Sequence, residues 1–345
     1  IEANVIHLNQ TTFLHLGKSG GGAVSERLEE WEVVVGKQCH PRPCPVRLSR
    51  PNTTFLIDIR DPVDRYFSAF KWRKLVLCNP HNRTKTPAVG EKVILDPKKY
   101  CQPRARNESI MIHEKYQANA SLLAEALCET GEAGEEAQRD YKRLSHAKDS
   151  LSDWLPNKTW RTANLVSVVL EPGFNYLHQL DNAIEWLVSD LFGANIASEL
   201  AATKHTELLH QTTDQVRMHS SVLHSKHKES LSPLGSCCVA RHVKKDYKLL
   251  HKLKTVSCKG KLSNVCEAAF ASILKRRQPL LDDSISCADF VELQNVPPED
   301  TSTPKKPRHK KLAGNVLFDD ELFWILVGVA AVLLYTCRKC YMLFA

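Results

Sequence analysis

Two short motifs in this sequence contain residue types that bind phosphate or sulfate groups. The first follows a β-prone apolar run at residues 12–16 and consists of Gly17-Lys18-Ser19-Gly20-Gly21-Gly22. Glycines allow backbone N–H groups to surround an anion, and the N-terminus of a following helix adds positive potential. Lys18 can then reach the anion as a mobile point charge. A Gly-rich turn with a surface lysine explains the same residues, and a full Walker A motif is excluded because Thr12 occupies its first glycine position.

The second motif begins where another apolar run, residues 54–59, ends. It consists of Arg60-Asp61-Pro62-Val63-Asp64-Arg65-Tyr66-Phe67-Ser68. Arg60 is expected at the tip of a buried strand and Ser68 inside the helix that follows. An arginine can hold a phosphate through two N–H groups while a serine hydroxyl donates from another side. The motif therefore predicts a second anion-binding element, whereas Arg65 has a simpler explanation as an ion-pair partner of Asp61.

In this order and spacing, the two motifs resemble those of sulfotransferases of the Golgi, carbohydrate-modifying type. The first looks like their 5′-phosphosulfate loop, and the second, about forty residues later, is similar to their 3′-phosphate motif. The resemblance implies 3′-phosphoadenosine-5′-phosphosulfate (PAPS) as the co-substrate, with no metal required. It is close over residues 10–75 and looser to about residue 255. The donor-binding residues that it implies are Gly17, Lys18, Ser19, Gly20, Gly21, Gly22, Arg60 and Ser68, and it gives Lys18 a catalytic role at the departing phosphate.

One position departs from the family pattern. Gly22 and Ala23 stand where Golgi members usually carry Thr or Ser shortly after the loop glycines. A side-chain hydroxyl contact to the 5′-phosphate would therefore have to come from Ser19 or Ser25, or be replaced by backbone amides.

Sulfuryl transfer also needs a base to accept the proton of the acceptor hydroxyl. Members of the family use His or Glu, commonly on the segment after the phosphate loop. His40 lies 22 residues after Lys18 in a predicted loop, so it is the predicted catalytic base, with Glu30 and Glu32 as alternatives. A structural loop held by a disulfide at the neighbouring Cys39 explains His40 equally well.

Composition favours an oxidising lumen. Twelve cysteines are present, ten of them before the terminal apolar run, and an even luminal set is typical of disulfides. Adjacent cysteines such as Cys237 and Cys238 bond more often to different partners than to each other. No pair of Cys-x-x-Cys knuckles occurs, and the His-rich run 219–228 is interpreted as a solvated loop, so no metal site is predicted. Six N-glycosylation sequons point to the same compartment, at Asn9, Asn52, Asn82, Asn107, Asn119 and Asn157.

Apolar runs at residues 12–16, 54–59 and 165–170 predict buried parallel strands. Alternation of strands and helices predicts the α/β class, here a P-loop-like three-layer fold with a central, mostly parallel sheet flanked by helices. Residues 1–290 are assigned to this luminal domain. The helices are predicted near residues 24–31, 64–75, 119–129, 137–151, 177–191 and 240–254.

The C-terminal part has a different composition. Residues 291–321 are predicted to form a basic Pro- and Lys-rich stalk, residues 322–336 a transmembrane segment and residues 337–345 a short tail. The fifteen apolar residues fall short of the roughly twenty of a full span, which leaves a buried helix as the alternative. With the sequons in the lumen the tail would be cytosolic, where Cys337 and Cys340 are candidates for palmitoylation.

The formal net charge of +8 is mild, and five of the positive charges lie in residues 305–311. The nearly balanced remainder does not imply a nucleic-acid partner, but it is compatible with an anionic substrate at a local basic patch. The sequence begins at Ile1 without an initiator methionine, which leaves open a signal peptide or anchor before it.

These features predict an enzyme of the Golgi membrane that moves a sulfuryl group from PAPS to a hydroxyl of a glycan or polysaccharide in the lumen. Protein tyrosine is a less favoured acceptor. A luminal P-loop kinase is one alternative, although it leaves Arg60 and Ser68 without a purpose. A non-catalytic glycan-binding homologue is the other, and Gly22-Ala23 is the feature that suggests it.

Overall fold

The computed structural model describes residues 5–40, 53–77, 103–155, 164–208 and 230–295. These residues lie in one compact unit that ends at Val296. Several predictions fall outside the described residues, namely the stalk beyond residue 295, the apolar run, the tail, the His-rich run and the sequons at Asn52, Asn82 and Asn157.

Four strands form one parallel sheet. They are β1 (Ile6–Leu14), β2 (Val33–Cys39), β3 (Thr54–Arg60) and β4 (Asn164–Leu170), and their spatial order is β2-β1-β3-β4. β3 is buried from Thr54 to Ile59, as expected for a strand covered by helices on both faces. β2 is not among the predicted strands. It lies at the sheet edge with most of its side chains partly or fully exposed, so it lacks the continuous apolar run that marks the other three.

Helices cover both faces of the sheet, which confirms the predicted three-layer α/β fold. One face packs Leu8, Phe13 and Leu56 against three helices, and the other packs Phe55 and Ile57 against the remaining helical core. In chain order the helices are α1 (Gly21–Glu30), α2 (Pro62–Val76), α3 (Pro103–Ile110), α4 (Ala120–Ala126), α5 (Gly131–Tyr141), α6 (Leu151–Trp154), α7 (Tyr176–Phe192), α8 (Ala194–Leu208), α9 (Pro233–His242), α10 (Lys244–Ser257), α11 (Ser263–Arg277) and α12 (Cys287–Asn295). The first of the two faces is covered by α1, α7 and α8.

Two helix predictions are wrong in their extent. The helix predicted over residues 137–151 ends at Tyr141, and a turn follows until a capping box at Ser150 begins the short α6. The helix predicted over residues 240–254 is two helices, because the chain breaks at Val243 between α9 and α10. In addition, α12 continues to Asn295, five residues into the predicted stalk.

Disulfides connect the helices on the face opposite α1. Cys128 bonds to Cys238, Cys237 bonds to Cys287, and Cys258 bonds to Cys266. The prediction that the adjacent cysteines take different partners is therefore confirmed. The sulfur atoms of Cys128, Cys238 and Cys287 lie within 4.8 Å of one another, but their participation in disulfides explains this cluster without a metal.

The start of α2 is fixed by the buried Asp61. Its carboxylate caps the helix by accepting from the Val63 N–H at 2.9 Å, with Pro62 in the first turn as predicted. It also accepts from the Tyr247 hydroxyl at 2.7 Å and from Arg277 at 2.6 Å. This network holds α2, and with it the second motif, against α10 and α11.

The predicted pairing of Arg65 with Asp61 is wrong. Arg65 donates to the Asp149 carbonyl at 2.9 Å and lies 3.7 Å from Asp246, whereas Asp61 is paired with Arg276 and Arg277 of α11. Asp246, which is distant in sequence, takes the place of the local candidate Asp61. Both Asp246 and Arg65 are buried in the core, where the fold brings them together.

Asp61→Ala is expected to lower the free energy of unfolding by about 2–4 kcal/mol, because it removes the helix cap, leaves the buried Tyr247 hydroxyl without its acceptor and leaves Arg277 with Asp64 as its carboxylate partner. Urea denaturation measures this loss. Asp64→Ala is the matched control, since that side chain is 28% exposed and its pairs should contribute about 1 kcal/mol or less. Equal losses in the two variants would contradict this account.

Candidate anion-binding site

The two motifs lie at the carboxyl ends of the adjacent strands β1 and β3. From β1 the chain passes through α1 to β2 on one side, whereas β3 lies on the other side of β1. In open α/β sheets, the crevice at such a reversal of strand order is where ligands bind. The fold therefore places the loop at residues 17–22 and Arg60 at the position where this class of sheet binds anionic ligands.

The loop after β1 turns sharply into α1. Gly20 is the N-cap and has a φ of 107°, a backbone conformation that favours glycine. A side chain at Gly21 would collide with the ring of His15, because a Cβ atom there would lie 2.0 Å from that ring. Gly22 lies in the first turn of α1 on its exposed side. The glycines thus let the loop pack closely against aromatic side chains and direct the N-terminus of α1 toward the crevice.

Lys18 lies at the centre of the loop. Its backbone has a φ of 66°, and its Nζ lies 3.7 Å from the centroid of the Trp72 ring on α2, within the range of a cation–π contact. Burial, and then the nearby Arg60 and Arg73, lower the pKa of Lys18 to about 7. Its ammonium forms no ion pair with any described residue. A bound anion would supply the missing negative charge and favour the protonated form.

Arg60 joins the two motifs. Its Nη1 donates to the carbonyl oxygen of Lys18 at 3.2 Å, so its guanidinium lies against the loop. In the described part of the chain it has no salt bridge with a carboxylate. Arg73, by contrast, is neutralised by Glu108 through two hydrogen bonds of 2.9 and 2.7 Å. Lys18 and Arg60 therefore lack a direct carboxylate partner among the described residues, and Arg60 interacts with Asp61, Asp64 and Glu171 only through longer-range electrostatics.

Ser68 lies in α2, in the helix that begins directly after Arg60. The residue is buried, and its hydroxyl makes no side-chain hydrogen bond with the described residues. It follows the start of α2 by about 9 Å at the usual helical rise. Trp72, four residues after Ser68 and on the same face of α2, contacts Lys18. The structure therefore brings Arg60 to the loop and places Ser68 one helical turn before the point where α2 contacts it.

Ser19 and Ser25 are the candidates to supply the hydroxyl that Gly22 and Ala23 lack, and the two serines differ in their surroundings. The Ser25 hydroxyl is used within α1, where it donates to the Gly21 carbonyl at 3.1 Å. The Ser19 hydroxyl is fully buried and has no partner among the described residues. Buried polar groups in native proteins are nearly always hydrogen-bonded. Ser19 is therefore the serine with unused hydrogen-bonding capacity in the loop.

Three histidine rings form a stack beside the loop. The ring of His40 lies 4.0 Å from that of His15 and 5.6 Å from that of His146, with interplanar angles of 19° in both pairs. Burial lowers the pKa of His15 and of His146 to about 3, and repulsion by His40 and Lys18 adds to the effect. The two outer rings are consequently neutral at physiological pH, and His40 is the exposed member of the stack.

The alternatives to His40 lie elsewhere. Glu30 pairs with Arg27 at 2.6 Å near the end of α1, and the Glu32 carbonyl accepts from the Ile6 N–H at the start of β1. They are thus at the amino end of the sheet, whereas His40 follows the carboxyl end of β2. Seven strand residues separate the two edges, about 20 Å. Of the three proposed bases, only His40 lies beside the loop, and its catalytic role stays a prediction.

Four further residues contact the loop and were not identified from the sequence. His146 lies against Gly17, where a Cβ atom would be 2.4 Å from its Nδ1, and Tyr176 lies against Gly20. Trp72 lies under Lys18, and the buried Asp58 accepts from the Leu16 N–H at 2.8 Å. Only Trp72 and Asp58 are near a motif in sequence. His146 and Tyr176 reach the loop through the tertiary fold, and no local pattern marks them.

In the described part of the chain, no helix has the length and apolar character needed to cross a membrane. The predicted transmembrane segment at residues 322–336 lies outside that part. No protein-family model, curated protein sequence or solved structure matches this chain.

The pKa of Lys18 gives the site an expected pH dependence. Below about pH 7 the ammonium is already protonated, so binding of an anion costs no proton uptake; above it, binding must raise the pKa and take up a proton. The affinity for adenosine 3′,5′-bisphosphate (PAP) should therefore fall between pH 7 and pH 9, approaching tenfold per pH unit. His15 and His146 stay neutral over this range, so they add no pH dependence.

Calorimetric titrations at pH 7, 8 and 9 measure this dependence, and Lys18→Arg is the matched control because a guanidinium does not titrate in this range. A pH-independent affinity in the parent protein, or the same slope in Lys18→Arg, would contradict the assignment of the titrating group.

Proposed function

We propose that this chain is a PAPS-dependent sulfotransferase that transfers the sulfuryl group to a hydroxyl of a glycan or polysaccharide in the Golgi lumen. One observation carries the proposal: Arg60 of the second motif contacts the Lys18 carbonyl of the first at 3.2 Å, and neither side chain has a carboxylate partner among the described residues. The two motifs, separate in sequence, thus meet at one crevice, which supports a shared anion-binding site.

The parts of the site have distinct tasks in this reaction. The N-terminus of α1 and the loop amides are directed at the 5′-phosphosulfate, and Arg60 and Ser68 serve the 3′-phosphate. Lys18 compensates the negative charge that grows on the departing 5′-phosphate as the S–O bond to it breaks. Its position in the loop that leads into the N-terminus of α1 supports this role.

His40 is proposed to accept the proton of the acceptor hydroxyl as that oxygen forms its bond to sulfur. Its ring lies beside the loop, is exposed to an incoming acceptor, and its Nδ1 lies 3.4 Å from the His15 carbonyl. Donation of a hydrogen from Nδ1 to that carbonyl would select the tautomer in which Nε2 is the basic nitrogen. The neutral neighbours on both sides avoid a second positive charge when the proton arrives.

The proposed compartment rests on covalent chemistry. Three disulfides join described residues, and Cys39 is also disulfide-bonded. Disulfides persist in oxidising compartments and are rare in the cytosol. This supports a luminal location for the domain, and attachment to the Golgi membrane through residues 322–336 is part of the same proposal.

A thermal-shift titration with PAP, run beside ATP, tests the proposal. Stabilisation should grow with PAP concentration, by about 2.7 kcal/mol at 100 times the dissociation constant. Arg60→Ala removes the bridge between the motifs, and Ser68→Ala is a milder variant that leaves the Lys18 contact in place; both should reduce the shift. A shift by ATP alone would favour a kinase.

The non-catalytic homologue retains one specific observation in its favour, the absence of a hydroxyl at Gly22 and Ala23. If this alternative holds, glycan binding occurs without turnover and survives loss of the Lys18 charge. No stabilisation of folded protein by PAP would leave it as the better explanation.

A further inference from the structure

Asn119 begins one of the six sequons, Asn119-Ala120-Ser121, and lies at the N-terminus of α4. The side chain is exposed, and its Oδ1 caps the helix by accepting from the Ser121 N–H at 2.9 Å. Its Nδ2 makes no hydrogen bond with any described residue. An N-linked sugar is joined to that nitrogen and leaves the oxygen available, so glycosylation and helix capping are compatible at this residue.

The backbone holds Asn119 in a fixed position. Gln117 and Ala118 have φ values of 48° and 57°, and the turn they form is closed by hydrogen bonds of 2.7 Å from the Ala118 and Asn119 N–H groups. The buried Tyr66 hydroxyl donates to the Ala120 carbonyl at 2.8 Å and ties the turn to α2. A group attached to Asn119 would therefore leave the surface from a rigid point.

A groove of about 360 Å³ lies directly beside Asn119. One wall is formed by α2 and the other by the turn that presents the asparagine. The Nζ of Lys71 lies 5.3 Å from the ring of Phe67 along the α2 wall. The lining residues used here are Phe67, Phe70, Lys71, Lys74, Asn119 and Ser121. Phe70 is buried beneath the groove, whereas the Phe67 ring is partly exposed. An aromatic ring beside polar groups suits sugar rings, which present C–H faces and hydroxyl edges.

We propose that Asn119 carries an N-linked glycan whose first sugars occupy this groove. In the modification, the Asn119 Nδ2 forms a bond to the anomeric carbon of the first sugar of a lipid-diphosphate-linked oligosaccharide. The bond from that carbon to the diphosphate oxygen breaks, the lipid diphosphate leaves, and one amide proton passes to solvent through the transferase. Attachment at the rim gives the sugars a high effective concentration in the groove, so weak contacts are sufficient.

The other sequons in the described part of the chain have different surroundings. Asn9 lies within β1, where the register with β2 is irregular, and Asn107 lies in α3; both are exposed. Neither lines the groove beside α2. Asn119 is thus distinguished by the adjoining groove and by a rigid turn, not by exposure alone. The proposal is independent of sulfuryl transfer, and its failure would leave PAP binding untouched.

The first test is site occupancy in the full chain secreted or retained by a eukaryotic host. Enzymatic deglycosylation in ¹⁸O-labelled water, followed by peptide mass spectrometry, marks each modified asparagine. Asn119 is expected to be labelled in most molecules. An unlabelled Asn119 in the folded protein overturns the proposal, whatever the state of the other sequons.

The second test concerns the groove. Peptide N-glycosidase should remove the Asn119 glycan slowly from the folded protein, and on the order of tenfold faster after Phe67→Ser or Lys71→Ser, since either change weakens contacts with tethered sugars. The lysine variant keeps the test valid if the phenylalanine variant does not fold. Unchanged rates in a folded variant would show that the sugars do not occupy the groove.

A matched stability control follows from the enzyme's chemistry, because peptide N-glycosidase leaves an aspartate at the site. Asn119→Asp reproduces that product, and aspartate also caps helices well. The enzyme also acts on the other sequons, so the parent protein and Asn119→Asp are compared both before and after treatment. The parent protein should melt at a higher temperature than Asn119→Asp before treatment and at the same temperature after it. Equal melting temperatures before treatment would contradict packing of sugars in the groove.

Discussion

Lys18→Met is expected to lower the rate of PAP formation from PAPS by about 10²–10³-fold in the presence of a mixed polysaccharide acceptor, since it removes a cation positioned at the departing phosphate. Methionine retains an aliphatic side chain over Trp72, and the backbone carbonyl that accepts from Arg60 is unchanged. The fold should therefore persist, and PAP should also bind more weakly. Chromatographic measurement of PAP provides the rate.

Lys18→Arg separates charge from position. It restores the positive charge without the compact ammonium, so PAP affinity should recover more than the rate does. Parental turnover in the Lys18→Met variant would show that Lys18 takes no part in the proposed reaction. Loss of turnover with unchanged PAP affinity would confine its role to the departing phosphate.

His40→Ala is the second change with a large expected effect. Loss of a general base typically costs 10²–10⁴-fold in rate, and the PAP affinity should change by less than about threefold because His40 is assigned to the acceptor. His251→Ala is the matched control, since that histidine is exposed on α10 and distant in sequence from the loop. Rates with each variant, measured at saturating PAPS, give the comparison.

Two outcomes would reassign His40. If His40→Ala retains parental turnover, the residue serves only to close the loop beside Cys39. If PAP affinity falls as much as the rate, the histidine stack supports the donor loop rather than the acceptor proton. The pH–rate profile distinguishes these cases, because removal of a true base abolishes the loss of rate at low pH.

The sequence is sufficient to predict the buried strands and the loops that follow them. Residues 54–59 and 165–170 are mostly apolar runs, and the structure confirms strands there, each buried under helices on both faces. β2 is an edge strand whose apolar residues are followed by Gly36, Lys37 and Gln38, so its sequence has no comparable apolar run. The hydrophobic pattern of this sequence therefore identifies the buried strands and misses the exposed edge strand.

The site is predictable only as far as its local motifs extend. Residues 17–22 and Arg60 are recognisable because each motif is contiguous, and the parallel sheet brings them together. The position of His146 beside the loop depends on the end of α5 at Tyr141. The composition around His146 instead predicted a helix that continues to residue 151. The Arg65 prediction failed for a related reason, since Asp246 comes from a distant helix and only the packing of α10 brings it close.

The central claim is that Lys18, Arg60 and Ser68 form one site for an adenosine bisphosphate. The most direct measurement is a calorimetric titration of the folded protein at pH 7 with PAP and, separately, with adenosine 5′-phosphate, which lacks the 3′-phosphate. PAP is predicted to bind at least about tenfold more tightly, because charge-assisted hydrogen bonds to the added phosphate contribute about 1.5–3 kcal/mol. The advantage should disappear in Arg60→Ala. Equal affinities for the two nucleotides, or no binding of PAP, would contradict the account.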